Sequence, residues 1–178
     1  ISPANLNRAQ LMITSFVLGM GIGTLFTGPL SDAFGRKPVM VGGAIVYVLA
    51  CVAAWKAQSL ELMLAARIVQ GLGAAGPRVV SMAMIRDLYA GRDMARIMSF
   101  VMVVFSLVPA LAPSLGFYIV VWFGWRAIFI AFIAFSLISL TWLMFRQPET
   151  LPSESRRPLS LGALLSATKE MFAHRTAR

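Results

Sequence analysis

Two arginines lie inside one long apolar segment of the 178-residue sequence, and cations in such a place suit the lining of a pathway or the control of a proton. Arg67 is about 7 Å along a helix from the start of this segment at Leu62. Arg78 follows eleven residues later, about 16 Å further along the axis. Eleven residues is close to three helical turns, so both side chains are expected on the same side of the helix.

A charge inside a membrane costs roughly 2.5–3.5 kcal/mol on insertion scales, so such a pair should face a cavity or a partner rather than lipid. Gly71 lies between the arginines near their face, and Gln70 lies further round the helix. We therefore predict that Arg67, Gln70, Gly71 and Arg78 line a substrate or proton pathway. Two alternatives stay open: Arg67 is a structural hydrogen-bond hub, or Arg78 extends its side chain to the nearby cytoplasmic surface.

The elements that must position these residues are membrane-spanning helices. The mean hydropathy is +0.78. Charged residues make up 13% of the chain, against about 25% in a typical soluble domain. Five segments reach the length of about 20 mostly apolar residues that a membrane helix needs. They are Ala9–Leu30, Val39–Ala57, Leu62–Ile85, Ile97–Trp122 and Ala127–Phe145. The predicted fold is an all-α membrane protein with residues 146–178 as a cytoplasmic loop.

Two of these segments have features that set their packing. Gly19 and Gly23 form a small-xxx-small pair in the first segment, which favours close approach of another helix. Pro109 and Pro113 lie in the fourth segment, where each removes a backbone hydrogen bond, so we expect that helix to bend or loosen.

The charged residues indicate orientation and exclude nucleic acid as a partner. Sixteen basic residues face seven acidic ones, but they lie between apolar segments rather than on one face. Eleven basic residues fall on one side of the predicted membrane and three on the other, which predicts a cytoplasmic C-terminal tail and residue 1 outside. Within the tail, residues 160–172 are interpreted either as a surface amphipathic helix or as a disordered linker.

Metal binding and enzyme catalysis find no support in the residue types. Cys51 and His174 are single residues of their kind, so neither a disulfide framework nor a metal cluster is expected. The seven acids all fall at segment ends, in loops or in the tail, so no carboxylate pair forms a catalytic centre. The same distribution means that this chain contributes no buried acid to carry a proton across the membrane.

The segment Gly28–Lys37 combines glycine, proline and charge between the first two spans. It is interpreted as a loop in which Gly28 permits tight packing and Gly35 permits a tight turn. Asp32, its one acid, could pair with Arg36 four residues later or with another helix end. A solvated loop without such pairs is the simpler alternative.

Motifs along nearly the whole chain resemble those of the major facilitator superfamily, and in particular its Bcr/CflA type of drug-resistance transporter. Gly28-x-Leu30-x-Asp32-x-x-Gly35-Arg36-Lys37 resembles the signature loop between the second and third helices. Arg67-x-x-Gln70-Gly71 is similar to the fourth-helix motif, and Arg86-Asp87 to the segment after it. Pro109, Pro113 and Gly116 resemble the antiporter motif of helix five, with Ala112 and Phe117 at positions where the family motif has glycine.

The resemblance implies that the five spans are helices two to six of twelve, within the N-terminal six-helix half of a transporter. It implies proton-driven efflux of drugs or other small amphipathic molecules across the bacterial inner membrane, with a proton gradient and no cofactor. The segment carrying Asp32, Gly35, Arg36 and Lys37 would act as a cytoplasmic latch, with Arg86 and Asp87 as charge partners. A first helix and a C-terminal half, both outside this chain, would complete the transporter and supply the proton-carrying acid.

Other functions stay open at this point. A symporter, or a dedicated metabolite or sugar transporter of the same superfamily, would have the same fold. A truncated gene product would descend from such a transporter but would not itself transport. The substrate itself depends on side chains from both halves.

Overall fold

Five long α-helices make up most of the structure, a computed structural model that describes residues 3–152, 154 and 156. They are α1 (Pro3–Phe34), α2 (Arg36–Lys56), α3 (Leu60–Leu88), α4 (Gly91–Phe123) and α5 (Ala127–Arg146). Each is long and apolar enough to cross a membrane. All five exceed or match the predicted segments, except that Ala57 lies one residue beyond the end of α2. The stretch 160–172 and His174 lie outside the described residues.

The predicted loop from Gly28 to Lys37 is almost entirely helical, which corrects its extent. α1 continues to Phe34 and α2 begins at Arg36, so Gly35 alone separates them. Gly35 has a φ of 104°, a conformation that L side chains rarely adopt, and its N–H still donates to the Ser31 carbonyl at 3.2 Å. Helices extended to the turn keep their backbone groups paired, as an apolar solvent requires. The expected tight turn is therefore present, but it takes one residue.

Helix α3 is the centre of the packing, with α1 along one side and α2 along another. Glycines make both contacts possible. A Cβ added at Gly19 of α1 would lie 2.0 Å from the Ile68 carbonyl oxygen, and one added at Gly73 of α3 would lie 2.5 Å from the Tyr47 nitrogen. Such backbone-to-backbone approach needs positions without side chains. The predicted close packing at Gly19 and Gly23 is confirmed, because a Cβ at Gly23 would meet Ala75 at 2.7 Å.

Helix α5 packs on α2, and two small apolar clusters fix the three helices α2, α3 and α5 together. Phe129 of α5 is 3% exposed and packs with Ala54 and Met63. Met40, Val80 and Met84 form the second cluster, nearer the C-terminal end of α3, and Leu143 of α5 packs against it.

Helix α4 differs from the others because every one of its residues, all described, is at least partly exposed. It continues without interruption through Pro109 and Pro113, so the expected loosening does not break the helix. A Cβ at Gly116 would meet nothing within 4 Å. From Phe100 onward this helix exposes many large apolar side chains, as suits contact with lipid or with further helices.

Candidate functional site: the arginines of α3 and the junction of α1, α2 and α5

Arg67 lies near the start of α3 and is held by one neighbour on its own helix and one on α5. Its Nη1 donates to Gln70 Oε1 at 3.1 Å, and its Cζ lies 5.0 Å from the centroid of the Phe129 ring. A cation over an aromatic face at this distance is an attractive contact. The Nε atom is buried and has no hydrogen-bond partner among the described residues. One donor of this guanidinium is thus available in a desolvated position.

Gln70 connects Arg67 to α2. It is 1% exposed, and its Nε2 donates to Cys51 Sγ at 3.1 Å, while its Oε1 accepts from Arg67. Cys51 is itself fully buried. A buried amide that uses both its ends in this way fixes the side chain next to it. The roles of Cys51 and Phe129 were not foreseen, because no local spacing relates them to Arg67.

Arg78 is exposed, and its guanidinium contacts α1. Its Nη1 donates to Met20 Sδ at 3.3 Å. Met20 lies level with Gly71, since a Cβ at Gly71 would be 2.6 Å from the Met20 nitrogen. Gly71 precedes Arg78 by seven residues, about 10 Å along the helix axis. The side chain of Arg78 therefore extends toward the N-terminal end of α3, away from the helix end at Leu88 that the snorkelling alternative requires.

Gly71 lies in the contact between α1 and α3. It is buried, and a Cβ there would lie 2.1 Å from the Phe16 carbonyl oxygen of α1. With Gly19 on the opposing helix, it lets the two backbones approach closely. The structure thus places Gly71 in the contact between α1 and α3, and its role in a pathway stays a prediction. Arg67 and Arg78 meet different neighbours, α5 and α1, although they lie on one side of α3.

The residues of the predicted latch converge on Arg36, the first residue of α2. Its Nη1 pairs with Asp32 Oδ1 at 2.6 Å, and its Nε pairs with Asp87 Oδ2 at 3.0 Å. Nη1 also donates to the Ser31 hydroxyl at 2.7 Å. Of the alternatives for Asp32, the structure shows the pair with Arg36, and Arg36 in turn joins the end of α1 to the end of α3 through Asp87. The hydrogen bonds from the Arg36 guanidinium to these two carboxylates join ionised groups, so they are stronger than bonds between neutral groups.

The remaining predicted latch and charge residues take other places. Arg86 is exposed and its Nε donates to the Met82 carbonyl of its own helix at 3.3 Å, so Asp87 makes the interhelical pair. Gly28 does not serve tight packing, because a Cβ there would meet nothing within 4 Å. Lys37 donates from Nζ to the Met144 carbonyl in the last turn of α5 at 2.9 Å.

Glu149, which no motif indicated, completes this junction. Its Oε1 accepts from the Arg36 N–H at 2.9 Å and its Oε2 from the Lys37 N–H at 3.1 Å. The Thr150 and Leu151 N–H groups also donate to it. Burial by itself would raise the pKa of Glu149, but these four backbone donors outweigh it and hold the pKa below its usual value. An anion at the positive end of α2 is further favoured by the helix dipole.

The residues of the predicted antiporter motif lie on α4 and take no part in this site. Pro109, Pro113 and Gly116 lie on the exposed α4, away from the α2–α3–α5 clusters. No group of three or more His, Cys, Asp or Glu side chains in the described part of the chain could hold a metal ion.

Five helices long and apolar enough to cross a membrane, three of them packed through glycines, define a polytopic membrane protein. The family model of the Major Facilitator Superfamily matches residues 4–177, and the chain belongs to that superfamily. The resemblance predicted from the motifs is thereby confirmed.

Curated relatives carry names of drug resistance. A "Bicyclomycin resistance protein homolog" of Haemophilus influenzae is 40% identical over 157 residues, covering 88% of this chain and 39% of the relative. A "Chloramphenicol resistance protein" of Pseudomonas aeruginosa is 39% identical over 79% of this chain and 34% of its own length. "Multidrug resistance protein MdtL" of Citrobacter koseri is 34% identical over 91% of this chain and 43% of its own length. The chain thus spans about two-fifths of the length of these relatives.

A solved structure supports the fold. The human organic anion transporter MFSD10 (TETRAN) superposes with a TM-score of 0.75 at 26% sequence identity. The match covers 88% of this chain and 36% of that one. The five helices therefore have the arrangement of part of a major facilitator transporter, and the protein is a multi-pass membrane protein.

Proposed function

We propose that this chain is part of a proton-driven exporter of drugs or other small amphipathic molecules in the bacterial inner membrane. The names of the bacterial relatives support the drug-resistance role, since three of them are 34–40% identical to most of this chain. The observation that supports the coupling mechanism is the environment of Arg67. This residue is a cation fixed inside a span by Gln70 and Phe129, with one buried donor without a partner among the described residues.

In this mechanism, Arg67 controls the proton affinity of an acid supplied from outside this chain. A nearby positive charge stabilises a carboxylate, so the acid releases its proton more readily when Arg67 is close. Movement of α3 relative to the acid-bearing helix changes that distance, and proton release then accompanies the conformational change. The energy source is the proton gradient, and no cofactor takes part.

The proposed partners follow from the same mechanism. Alternating access moves one half of such a transporter against the other, with the substrate between them. The chain would work together with a first helix and a C-terminal half of the same transporter, in a lipid bilayer, on a small-molecule substrate. Nucleic acid has no role. The Arg36 junction would act as a latch at the cytoplasmic side, and the excess of basic residues on that side supports a cytoplasmic C-terminal tail.

The test uses the full-length protein in inverted membrane vesicles with an imposed proton gradient and a pH-sensitive dye. Addition of a transported drug, with chloramphenicol as the first probe, should cause proton movement that Arg67→Ala abolishes. Arg92→Ala is the matched control, because Arg92 is an exposed arginine at the start of α4. The proposal fails if drug-dependent proton movement persists unchanged in Arg67→Ala. Proton movement with a sugar or another metabolite, and with none of the drugs, would favour the metabolite transporter instead.

A further inference from the structure

Arg78 has a geometry that neither the family motifs nor the latch explains. Its guanidinium extends toward the N-terminal end of α3, where Nη1 contacts Met20 Sδ at 3.3 Å. A side chain that only avoided lipid would extend toward the nearer end of α3 at Leu88, about 15 Å away. Arg78 does the opposite, so its charge is presented to the middle of the membrane.

The partners of this charge are few. Met20 Sδ is the hydrogen-bond partner that the described residues give to the guanidinium, and a thioether sulfur is a weak acceptor. Both ion pairs in the described part of the chain involve Arg36 at the helix ends, not Arg78. A guanidinium carries five N–H donors and a permanent charge, so most of its capacity for oxygen acceptors is unused here.

The surroundings suit a ligand with an apolar part and one anionic group. Arg67 lies on the same side of α3, and its buried Nε is also without a partner among the described residues. Met20 beside Arg78 is a flexible, polarisable side chain that adapts to apolar ligands. A carboxylate or sulfonate could accept two parallel hydrogen bonds from Arg78, which a neutral amide cannot match in charge or in geometry.

We propose that Arg78 binds the anionic group of those amphipathic substrates that carry one, so that an organic acid binds more tightly than its neutral analogue. The apolar part of the substrate lies against Met20. This inference rests on the proposed small-molecule transport and names a substrate class for it. The competing arrangement is an acid from the rest of the transporter that pairs permanently with Arg78.

The test compares the binding of pyrenebutyrate with that of its primary amide, pyrenebutyramide, to the purified full-length protein. Binding is followed by fluorescence anisotropy. Wild type should bind the carboxylate about tenfold more tightly than the amide, as expected for a charge-assisted hydrogen bond. Arg78→Gln should remove that preference while leaving the affinity for the amide within about twofold, and Arg78→Lys should keep part of it. Arg92→Gln is the control for loss of a cation elsewhere.

Two results would overturn the inference. Equal binding of the two probes by wild type would mean that the charge of Arg78 is already neutralised by an internal acid. Equal weakening of both probes in Arg78→Gln would mean a structural role. If Arg78→Gln does not fold, the Lys variant alone decides, because a change confined to the carboxylate requires direct contact. Binding of the probes does not depend on proton coupling. If drugs cause no proton movement but the preference for the carboxylate is intact, only the proposed coupling is contradicted.

Discussion

The carboxylate of Glu149 closes the N-terminus of the helix that begins at Arg36, although 113 residues separate the two in sequence. The contact is reciprocal, because Lys37 in the first turn of α2 donates to the Met144 carbonyl in the last turn of α5. An acid thus lies at the positive end of one helix and a base at the negative end of the other. Since Arg36 also pairs with Asp32 and Asp87, the segment after α5 contacts the residue that joins the ends of α1 and α3.

Removal of the Glu149 side chain should destabilise the protein. Glu149→Ala leaves the Arg36 and Lys37 N–H groups without their cap, and loss of a helix cap costs about 0.5–2 kcal/mol. The measurement is thermal unfolding of the full-length protein in detergent. Glu154→Ala is the matched control, because Glu154 is exposed and lies five residues further on. Equal losses in the two variants would show that the cap contributes nothing.

The stabilising effect of Glu149 should depend on pH. The pKa of its folded form lies below the usual carboxyl value of 4.5, so the unfolded chain takes up the proton first as pH falls. The contribution of Glu149 is therefore fully present above pH 4.5 and is lost as pH falls through the lower pKa of the folded state.

Glu149→Gln isolates this effect, since the amide does not titrate. The difference in unfolding temperature between wild type and Glu149→Gln should be constant above about pH 5 and should shrink at lower pH. A difference that grows on acidification would contradict the lowered pKa.

Gly35 should tolerate no side chain, whereas Gly28 should. At Gly35 the φ of 104° and a Cβ position 2.6 Å from Glu149 Oε2 both oppose alanine, and we expect a loss of about 1–3 kcal/mol. Gly28→Ala adds a Cβ in open space within α1, where alanine is the better helix former. Thermal unfolding of the two variants side by side is the check. Comparable unfolding temperatures would mean that the turn at Gly35 rearranges at little cost.

Gly71 should behave as a packing residue. Gly71→Ala places a Cβ 2.1 Å from the Phe16 carbonyl oxygen, so α1 and α3 must move apart, at a cost of about 1–3 kcal/mol for an overpacked contact. Gly21→Ala on α1 is the matched control, since a Cβ there meets nothing within 4 Å. The readout is the yield of monodisperse protein and its unfolding temperature. Normal stability together with altered drug affinity in Gly71→Ala would restore the pathway role predicted from sequence.

Much of the architecture was predictable because the membrane imposes it locally. A span of about 20 apolar residues is needed for each crossing, so the number of helices follows from hydropathy. The turn at Gly35 was predictable from residue type, and so was the close packing at Gly19 and Gly23. The extent of the loop before Gly35 was not, because Pro29 and Asp32 are usual in loops and yet lie in the last turns of α1.

Some features of the candidate site were likewise predictable from sequence, and others were not. Sequence by itself determined that Arg67 and Arg78 share one side of one membrane helix, since helical periodicity depends only on spacing. Tertiary structure alone decided the contacts of these residues. Gln70 donates to Cys51, and the Phe129 ring lies against the Arg67 guanidinium. The backbone of α1 packs against Gly71, and Arg78 extends toward Met20. It also supplied Glu149 as the cap of α2. These contacts join different helices, and their partners are set by how the helices pack, which no repeat within one helix encodes.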